Sequence, residues 1–255
     1  MADPPSLAEI AFAAMLLIAR IGACGMLLPG TGEAEIPAPI RLGLVLALVP
    51  LLLPGAMPGL PPAPDSAAGT VLLLAGEMAI GIWLGMLARL VSTALAMAGQ
   101  MIGSFIGLSA IFAPDPAMGA QGTALSRMMS IGAAALALSS GLYALPLRAL
   151  AESYTVLPAG AVLGGDFAAA AMAEAGAASL ALALRLAAPL LLLALLVQAA
   201  TGLLSRVAPQ AQVFILAAPA QTLAGLGLLA LLLPAIFTHW LDAARAAWSL
   251  LPGLG

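Results

Sequence analysis

Long runs of apolar residues, separated by short groups of glycine, proline and acidic residues, dominate this chain. The runs cover about residues 7–28, 40–53, 69–91, 93–113, 127–147, 177–204 and 213–238. A helix needs about 20 mostly apolar residues to cross the roughly 30 Å hydrocarbon core of a membrane, and five or six of these runs reach that length. The pattern therefore predicts an all-α protein that is integral to a membrane.

Two runs do not have the length of a simple membrane span. The run 40–53 has 14 residues and is followed by Pro54, so we expect a helix that ends there and is re-entrant or buried in protein. The run 177–204 has 28 residues, about 42 Å as a helix, and must tilt or project beyond the bilayer. The longest polar piece, 150–176, is too short for a soluble domain. We therefore expect one membrane-embedded subunit over residues 1–255.

The composition agrees with this pattern. Hydrophobic residues make up 63% of the chain and charged residues 7%, with a net charge of −3. A soluble domain carries about 25% charged residues, so a soluble enzyme, a disordered linker and a nucleic-acid-binding protein are excluded. Cys24 is the one cysteine and His239 the one histidine. We therefore expect no metal site and no cofactor.

Ionisable residues inside the apolar runs are candidates for structural contacts, because such groups face a protein interior or water. They are Arg20, Glu77, Arg89 and Arg185. Glu77 and Arg89 are 12 residues apart, about 18 Å along a helix and about 120° around it. They cannot pair with each other, so each needs a partner elsewhere.

Glycines at helical spacing predict close helix packing, since small residues let helix backbones approach each other in membranes. One ridge follows Glu77 with Gly81 and Gly85, and a second has the form GxxxGxxxG. The second ridge consists of Gly99, Gly103 and Gly107.

An intramembrane serine protease is the enzyme class that an apolar chain of this kind could represent. It would need a serine nucleophile within reach of a histidine base. Ser109 lies in an apolar run, but His239 lies at the end of one rather than deep inside it. We therefore expect no catalytic residue, and we interpret His239 as part of an interfacial aromatic belt with Trp240 and Trp248.

The 107–123 connection, GLSAIFAPDPAMGAQGT, joins two long apolar runs. Its Pro114-Asp115-Pro116 core favours a turn, and the apolar Phe112 and Met118 flank that turn. The residues alone leave two interpretations open. The connection is either an ordinary turn or a loop that is buried in protein or lines a cavity.

The chain resembles the FliR family of type III export-apparatus proteins over roughly residues 20–220. The early motifs are Arg20, Pro29, Pro37, Pro39, Arg41 and Leu42, followed by Glu77-x3-Gly81-x3-Gly85. The middle motifs are Ala98-Gly99-Gln100, Gly107-Leu108-Ser109, Asp115-Pro116, Gly119 and Gln121. The most specific motif is Ser205-Arg206-Val207-Ala208-Pro209-Gln210, followed by Val213-Phe214 and Pro219.

The resemblance implies a subunit of an export gate in the bacterial inner membrane, in the flagellar basal body. Such subunits are kinked and tilted helical hairpins that assemble with FliP-like and FliQ-like subunits into a closed helical cone, which an FlhB-like subunit joins. Unfolded export substrates pass through the centre. On this basis we expect packing or subunit contacts at Glu77, Gly81, Gly85, Arg89, Gly99, Gly103, Gly107, Arg206, Pro209 and Gln210.

Family members also contribute a loop that plugs the closed pore, and the 107–123 connection matches it by position. Family plugs commonly carry two phenylalanines just before Asp-Pro, whereas this chain has Ala110 and Ala113 at those positions. The resemblance thus implies a plug formed by Ile111, Phe112, Asp115, Pro116 and Met118.

The function expected is a passive conduit rather than an enzyme. The chain has no GxxxxGK[ST] motif and no lysine, so it has no P-loop nucleotide site of its own. Two alternatives stay open. One is the equivalent subunit of a virulence secretion system. The other is an independent small-molecule transporter, which would be expected to show internal repeats.

Overall fold

A computed structural model describes residues 6–33, 36–107, 123–207 and 213–253. These residues form seven α-helices, a short 3-10 helix and no strand. The helices are α1 (Leu7–Gly25), α2 (Ala38–Ala56), α3 (Ala67–Phe105), α4 (Ala124–Ser139), α5 (Ala144–Val156), α6 (Gly165–Val207) and α7 (Val213–Ser249), and the 3-10 helix is Met57–Gly59. The prediction of an all-α protein is confirmed.

The lengths of the helices fit a membrane protein. Within the described ranges, α1, α2 with its 3-10 extension, α3, α6 and α7 are long and apolar enough to cross a membrane. The pair α4 and α5 is bent by 71° and would add a sixth crossing if it acts as one span. The number of possible crossings agrees with the five or six expected from the sequence, although the helices that provide them are not all the expected runs.

Helix α3 corrects one expected boundary. The runs 69–91 and 93–113 were expected as separate segments, but α3 is continuous from Ala67 to Phe105. The polar pair Ser92-Thr93 contains no proline or glycine, so it does not interrupt backbone hydrogen bonding. The run 127–147, expected as one segment, is instead divided by a turn between α4 and α5, in which Gly141 adopts a φ of +72°.

Helix α2 corrects a second expectation, because it does not end before Pro54. It has 19 residues and contains both Pro50 and Pro54. The N–H that Pro54 lacks would have bonded to the carbonyl of Pro50, four residues earlier. Both prolines lie on exposed positions, so neither ring is forced into the protein core. With its 3-10 extension the segment reaches 22 residues, enough to cross a membrane.

Helix α6 corrects a third expectation, because the polar piece 150–176 is mostly helical. Helix α5 runs to Val156, and α6 begins at Gly165 and continues for 43 residues. The stretch that follows Asp166 is rich in alanine, the strongest helix former. Asp166 lies in the first turn, where a carboxylate interacts favourably with the helix dipole.

The chain divides into two compact units. The first contains Met1–Leu90, Ala137–Gly176 and Arg245–Gly255, and the second contains Val91–Leu136 and Ala177–Ala244. Fully buried side chains of the first unit include Leu16, Leu17, Ile21, Ile80 and Trp248. Those of the second unit include Leu95, Ile102, Met129, Leu190 and Trp240. The expectation of one embedded subunit over residues 1–255 stays a prediction.

The two tryptophans of α7 are core residues, which corrects the interpretation of an interfacial aromatic belt. Both side chains are 0% exposed. Within the second unit, Trp240 Nε1 donates to the carbonyl of Val91 at 3.0 Å. Within the first unit, Trp248 Nε1 donates to the carbonyl of Ala88 at 3.0 Å. A tryptophan buried this deeply needs a partner for its indole N–H, and carbonyls of α3 provide it.

Candidate functional site

A buried ion pair joins α1 to α3 in the first unit. Arg20 Nε lies 2.7 Å from Glu77 Oε2, and Arg20 Nη2 lies 3.2 Å from Glu77 Oε1. Both side chains are 0% exposed. The two contacts form the parallel, bidentate arrangement that suits a guanidinium and a carboxylate. Arg20 is therefore the partner of Glu77, and its side chain lies inside the subunit.

Polar groups from two further segments surround this pair. Arg20 Nη1 donates to Ser153 Oγ at 3.1 Å, and the Arg20 Cζ lies 4.0 Å from the centre of the Tyr154 ring. The backbone N–H of Gly160 donates to Glu77 Oε1 at 2.9 Å. A buried charge is tolerated when its hydrogen-bonding groups are used. The cluster therefore ties α1, α3, α5 and the 157–164 connection to one another.

Glycines on α3 let the ion pair form. A Cβ added at Gly81 would overlap the carbonyl oxygen of Arg20, and one added at Gly85 would lie 2.8 Å from that of Cys24. Gly81 is one turn after Glu77, and Cys24 is one turn after Arg20. The two helices thus touch through their backbones over two turns. This close approach allows the short Glu77 side chain to reach Arg20.

Two arginines hold the connection between α1 and α2 through its backbone carbonyls. Arg89 Nη1 lies 3.4 Å from the Leu27 oxygen and 3.3 Å from the Gly32 oxygen. Arg41 Nη2 lies 2.5 Å from the Glu33 oxygen, and Arg41 Nε donates to another carbonyl of the same connection. Arg89 therefore has partners other than Glu77, as its spacing from Glu77 predicted. No sequence pattern indicated that the partners are carbonyls.

Two glycines of the GxxxGxxxG ridge, Gly99 and Gly103, face the start of α4 in the second unit, whereas Gly107 lies beyond the end of α3 and close to Thr222. A Cβ at Gly99 would lie 2.9 Å from the Cα of Ser126, and one at Gly103 would lie 3.0 Å from Thr123 Oγ1. Between these glycines, Gln100 Oε1 accepts the backbone N–H of Thr123 at 2.7 Å. Thr123, the last residue of the 107–123 connection, is therefore fixed to α3. A role of these glycines in contacts with other subunits stays a prediction.

Helix α7 holds the other end of the 107–123 connection. Gln221 Nε2 donates to the Phe105 carbonyl at 2.7 Å, and Thr222 Oγ1 lies 3.0 Å from the Ile106 carbonyl. These carbonyls belong to the last residue of α3 and to the residue after it, where helix carbonyls lack partners in their own helix. Gly107 then adopts a φ of +83°, a left-handed conformation that glycine adopts without strain. The chain thus leaves α3 at a defined point.

The remaining predicted site residues divide into two groups. Arg206 lies near the end of α6, is exposed, and makes no hydrogen bond or ion pair with residues of the described ranges. The others lie outside the described residues, so the plug and the later part of the RVAPQ motif stay predictions. They are Ile111, Phe112, Asp115, Pro116, Met118, Pro209 and Gln210.

Sequence reasoning missed several partners of the predicted residues. It singled out Arg20 and Glu77 separately but gave no reason to pair residues 57 positions apart. It missed Ser153, Tyr154 and the backbone of Gly160, because nothing in the polar piece 150–176 marks which of its polar groups points inward. Gln221 and Thr222 were also missed, although two adjacent polar residues near the start of an apolar helix could have indicated a contact there.

Nothing in the described ranges resembles a metal centre. No group of three or more His, Cys, Asp or Glu side chains in those ranges could hold a metal ion. The Arg20–Glu77 cluster and the groups at the ends of the 107–123 connection instead make contacts between different segments of the chain. These contacts hold helices and the ends of a connection in place in a membrane protein. Such contacts are typical of a structural subunit.

Comparison with known proteins identifies the class of this protein. The family model described as bacterial export proteins, family 1, matches residues 11–247. The chain therefore belongs to this family of bacterial export proteins, which confirms the resemblance that its motifs indicated.

Individual relatives define the family more closely. The chain is 34% identical to the flagellar biosynthetic protein FliR of Caulobacter vibrioides over 234 residues, which cover 92% of this chain and 93% of that protein. It is 30% identical to FliR of Escherichia coli over 208 residues, covering 82% and 79%. It is 26% identical to FliR of Bacillus subtilis over 217 residues, covering 84% and 83%. Together with its apolar helices, these relatives make the protein a membrane-embedded subunit of the flagellar type III export apparatus.

Proposed function

We propose that the protein is a structural and gating subunit of the flagellar export gate in the bacterial inner membrane. In this proposal it assembles with FliP-like and FliQ-like subunits, and with an FlhB-like subunit, around a conduit for unfolded export substrates. It acts without a catalytic residue or a cofactor, and other components supply the energy. Family membership supports the place in the apparatus, and the absence of lysine supports the lack of a P-loop site.

One observation carries the gating part of the proposal. Both ends of the 107–123 connection are held by specific hydrogen bonds within the second unit, from Thr222 to the Ile106 carbonyl and from the Thr123 N–H to Gln100. A loop that must return to the same closed position benefits from fixed ends, since anchoring limits the conformations it can reach. We propose that Ile111, Phe112 and Met118 close the conduit, with Asp115 and Pro116 forming the turn between them.

Ion conductance of the closed gate tests the plug. We expect the variant that combines Phe112→Gly with Met118→Gly to increase conductance in membranes that contain the assembled gate. Glycine removes the apolar volume that fills the pore without adding charge. Val162→Gly is a suitable control, because Val162 is a 91% exposed apolar residue in a different connection. Unchanged conductance in the double variant, with normal assembly, would contradict the plug.

We further propose that the RVAPQ motif serves assembly. Arg206 is exposed near the end of α6, and an arginine in that position can donate several hydrogen bonds to a neighbouring subunit. Pro209 and Gln210 would then shape and hold the same contact. The packing roles of Glu77, Arg89 and the glycines of α3 lie within the subunit, where their contacts are seen.

Co-purification tests the assembly contact. Arg206→Ala should reduce the amount of FliP-like subunit recovered with this protein from membranes. Arg148→Ala is the matched control, because Arg148 is also exposed but lies on α5. Full recovery of the partners with Arg206→Ala would show that Arg206 does not hold a subunit contact.

A further inference from the structure

Two prolines lie inside α7 and delimit the middle part of that helix. Pro219 and Pro234 both lie in the helix interior, and both rings are exposed. A proline inside a helix lacks the N–H that would bond to the carbonyl four residues earlier, and helices bend at such points. Residues 220–233, which we call the middle segment, therefore lie between two points at which α7 can bend.

The middle segment packs less tightly within the second unit than the part of α7 that follows it. Its buried residues are Gly225 and Leu229, of which the first has no side chain. After Pro234, the large side chains of Ile236 and Trp240 are buried, and Trp240 is also hydrogen-bonded to a carbonyl of α3. Segments with few buried side chains are displaced at the lowest free-energy cost. The middle segment is therefore the easier of these two parts to move.

The middle segment also makes the contact of α7 with the end of α3. Gln221 donates to the Phe105 carbonyl, and Thr222 donates to the Ile106 carbonyl. Beside them, a Cβ added at Gly225 would lie 2.6 Å from Ile106 Cγ2, so the helix backbone touches that side chain. All three contacts fall within about one turn of α7. A displacement of this one segment would break them together.

The Thr222 hydroxyl can exchange one acceptor for another. Its Oγ1 lies 3.0 Å from the Ile106 carbonyl oxygen and 3.1 Å from that of Ala218, which lies in its own helix. A hydroxyl carries a single hydrogen, so it donates to one of these carbonyls at a time. When the middle segment leaves α3, the hydroxyl keeps a partner in α7. Release therefore leaves no unpaired hydroxyl donor, which lowers its free-energy cost.

The contact between α3 and α4 is of a different kind. A Cβ at Gly99 would lie 2.9 Å from the Cα of Ser126, so the two backbones touch. Ser126 Oγ also donates to the Ala96 carbonyl at 2.9 Å, and Gln100 accepts the N–H of Thr123. Backbones in direct contact have no side-chain rotamers through which they can separate gradually. We therefore expect α3 and α4 to stay together.

We propose that the middle segment of α7 moves when the gate opens, while α3 and α4 stay in place. This movement rests on the gating function proposed above, and it names the element that acts on the 107–123 connection. In the closed gate, the middle segment holds the Ile106 carbonyl. Bending at the two prolines withdraws the segment and releases that end of the connection, whereas the end at Thr123 stays attached to α3.

Two cysteine pairs compare the moving contact with the stationary one. A Cβ at Gly225 would lie 2.7 Å from Ile106 Cβ, and a Cβ at Gly103 would lie 3.3 Å from Thr123 Cβ. Both pairs are close to the separation of about 3.8 Å that a disulfide needs. Ile106→Cys with Gly225→Cys links α3 to the middle segment, and Gly103→Cys with Thr123→Cys links α3 to the start of α4. Both pairs are placed in the full chain with Cys24→Ala.

Secretion of a flagellar export substrate is the measurement. It is recorded in cells treated with a membrane-permeable oxidant and again after reduction, and non-reducing electrophoresis measures disulfide formation. The disulfide between α3 and α7 should abolish secretion, and reduction should restore it. The disulfide between α3 and α4 should give the same secretion as its own reduced form. Secretion that continues with the first disulfide formed, or that stops with the second, would overturn the proposal.

The double variant Pro219→Ala, Pro234→Ala is a second test, which needs no cysteine. Each alanine supplies the missing N–H and favours a straight, continuous helix. Because one hydrogen bond of ordinary strength changes a two-state population about fivefold, secretion should fall by about fivefold or more. Pro50→Ala is the matched control, since Pro50 is an exposed proline inside α2. Unchanged secretion in the double variant would overturn the proposal.

These tests fail separately from the proposed function. The conductance of the gate with Phe112→Gly and Met118→Gly tests the plug without any movement of α7. If that variant conducts ions while the disulfide between α3 and α7 leaves secretion unchanged, the plug is supported and the moving segment is wrong. If that variant does not conduct, the plug is wrong, and the effect of the disulfide on secretion still decides whether α7 moves.

Discussion

Arg20 and Glu77 form a bidentate ion pair with no exposed surface, although they are 57 residues apart in the chain. Arg20 Nε and Glu77 Oε2 are 2.7 Å apart, and four segments of the first unit meet around the pair. Removing one partner of a buried pair leaves the other charge without compensation, which is more costly than losing the pair entirely. The stability of this unit should depend strongly on both charges being present together.

Glu77→Leu should destabilise the protein by about 3–5 kcal/mol, because it leaves the Arg20 guanidinium buried without a carboxylate. The double variant Arg20→Met, Glu77→Leu should recover most of that loss. Thermal unfolding of the purified protein in detergent measures the effect. Glu174→Leu is the control for loss of a carboxylate at an exposed position of α6. Equal losses for Glu77→Leu and the double variant would contradict a coupled pair.

Gly81→Ala should destabilise the protein by about 1–3 kcal/mol, because the new Cβ overlaps the Arg20 carbonyl and forces α1 and α3 apart. Gly76→Ala, on the same helix, should have the opposite sign. No atom lies within 4 Å of a Cβ at Gly76, and alanine favours a helix over glycine by up to about 1 kcal/mol. Melting temperatures of the two variants, compared side by side, decide whether the close approach matters.

Thr222→Val combined with Gln221→Leu should increase the conductance of the closed gate. The change removes two hydrogen bonds to the last carbonyls of α3, each worth about 1 kcal/mol. A change of 1 kcal/mol alters the populations of two states roughly fivefold. Thr238→Val is the control, because that hydroxyl bonds to the Ala235 carbonyl within α7. If both variants conduct like the unmodified gate, the anchoring has no part in closure.

Tyr154→Phe should leave stability unchanged or raise it slightly. The Tyr154 hydroxyl is buried and has no hydrogen-bond partner among the residues that the structure describes, so removing it removes a desolvated polar group. The ring that faces the Arg20 guanidinium stays in place. Tyr154→Leu should cost about 0.5–2 kcal/mol more, because the aliphatic side chain lacks the ring face that attracts the cation. A clear loss of stability in Tyr154→Phe would show that the hydroxyl has a bonded partner.

Trp248→Phe should destabilise the first unit by about 1–3 kcal/mol, because the carbonyl of Ala88 then loses its buried donor. An interfacial tryptophan would tolerate phenylalanine with little change, since lipid and water would replace its contacts. Thermal unfolding of this variant therefore tests the position of the side chain directly. A neutral outcome would place Trp248 at the surface of the protein.

Much of the fold could be predicted from local features of the sequence. Apolar runs of sufficient length gave the number of possible crossings, because the bilayer imposes a minimum length on each span. Boundaries at prolines and polar pairs were less well predicted. Pro54 lies inside α2 and Ser92 lies inside α3. Each helix continues through this residue because the neighbouring turns keep their backbone hydrogen bonds.

The candidate sites were predictable only in part. Glycine spacing indicated close packing at Gly81 and Gly85, since a ridge of small residues is a local property of one helix. The identity of the opposing helix was not available, because any apolar helix could have packed there. Trp240 and Trp248 were assigned to a membrane interface on the basis of residue type, whereas the carbonyls of α3 that accept their N–H groups bring them into the core.

The sequence by itself determined that this chain lies in a membrane, is helical, and belongs with the bacterial export proteins. Those properties depend on composition, on the length of apolar runs and on motifs, which can all be recognised in the linear sequence. Only the tertiary structure decided that Glu77 pairs with Arg20, that Arg89 binds carbonyls, and that Thr222 reaches the end of α3. These partners depend on which helix backbones approach each other closely in the folded protein. An apolar sequence offers many similar helix surfaces, so the sequence alone does not show which of them pack together.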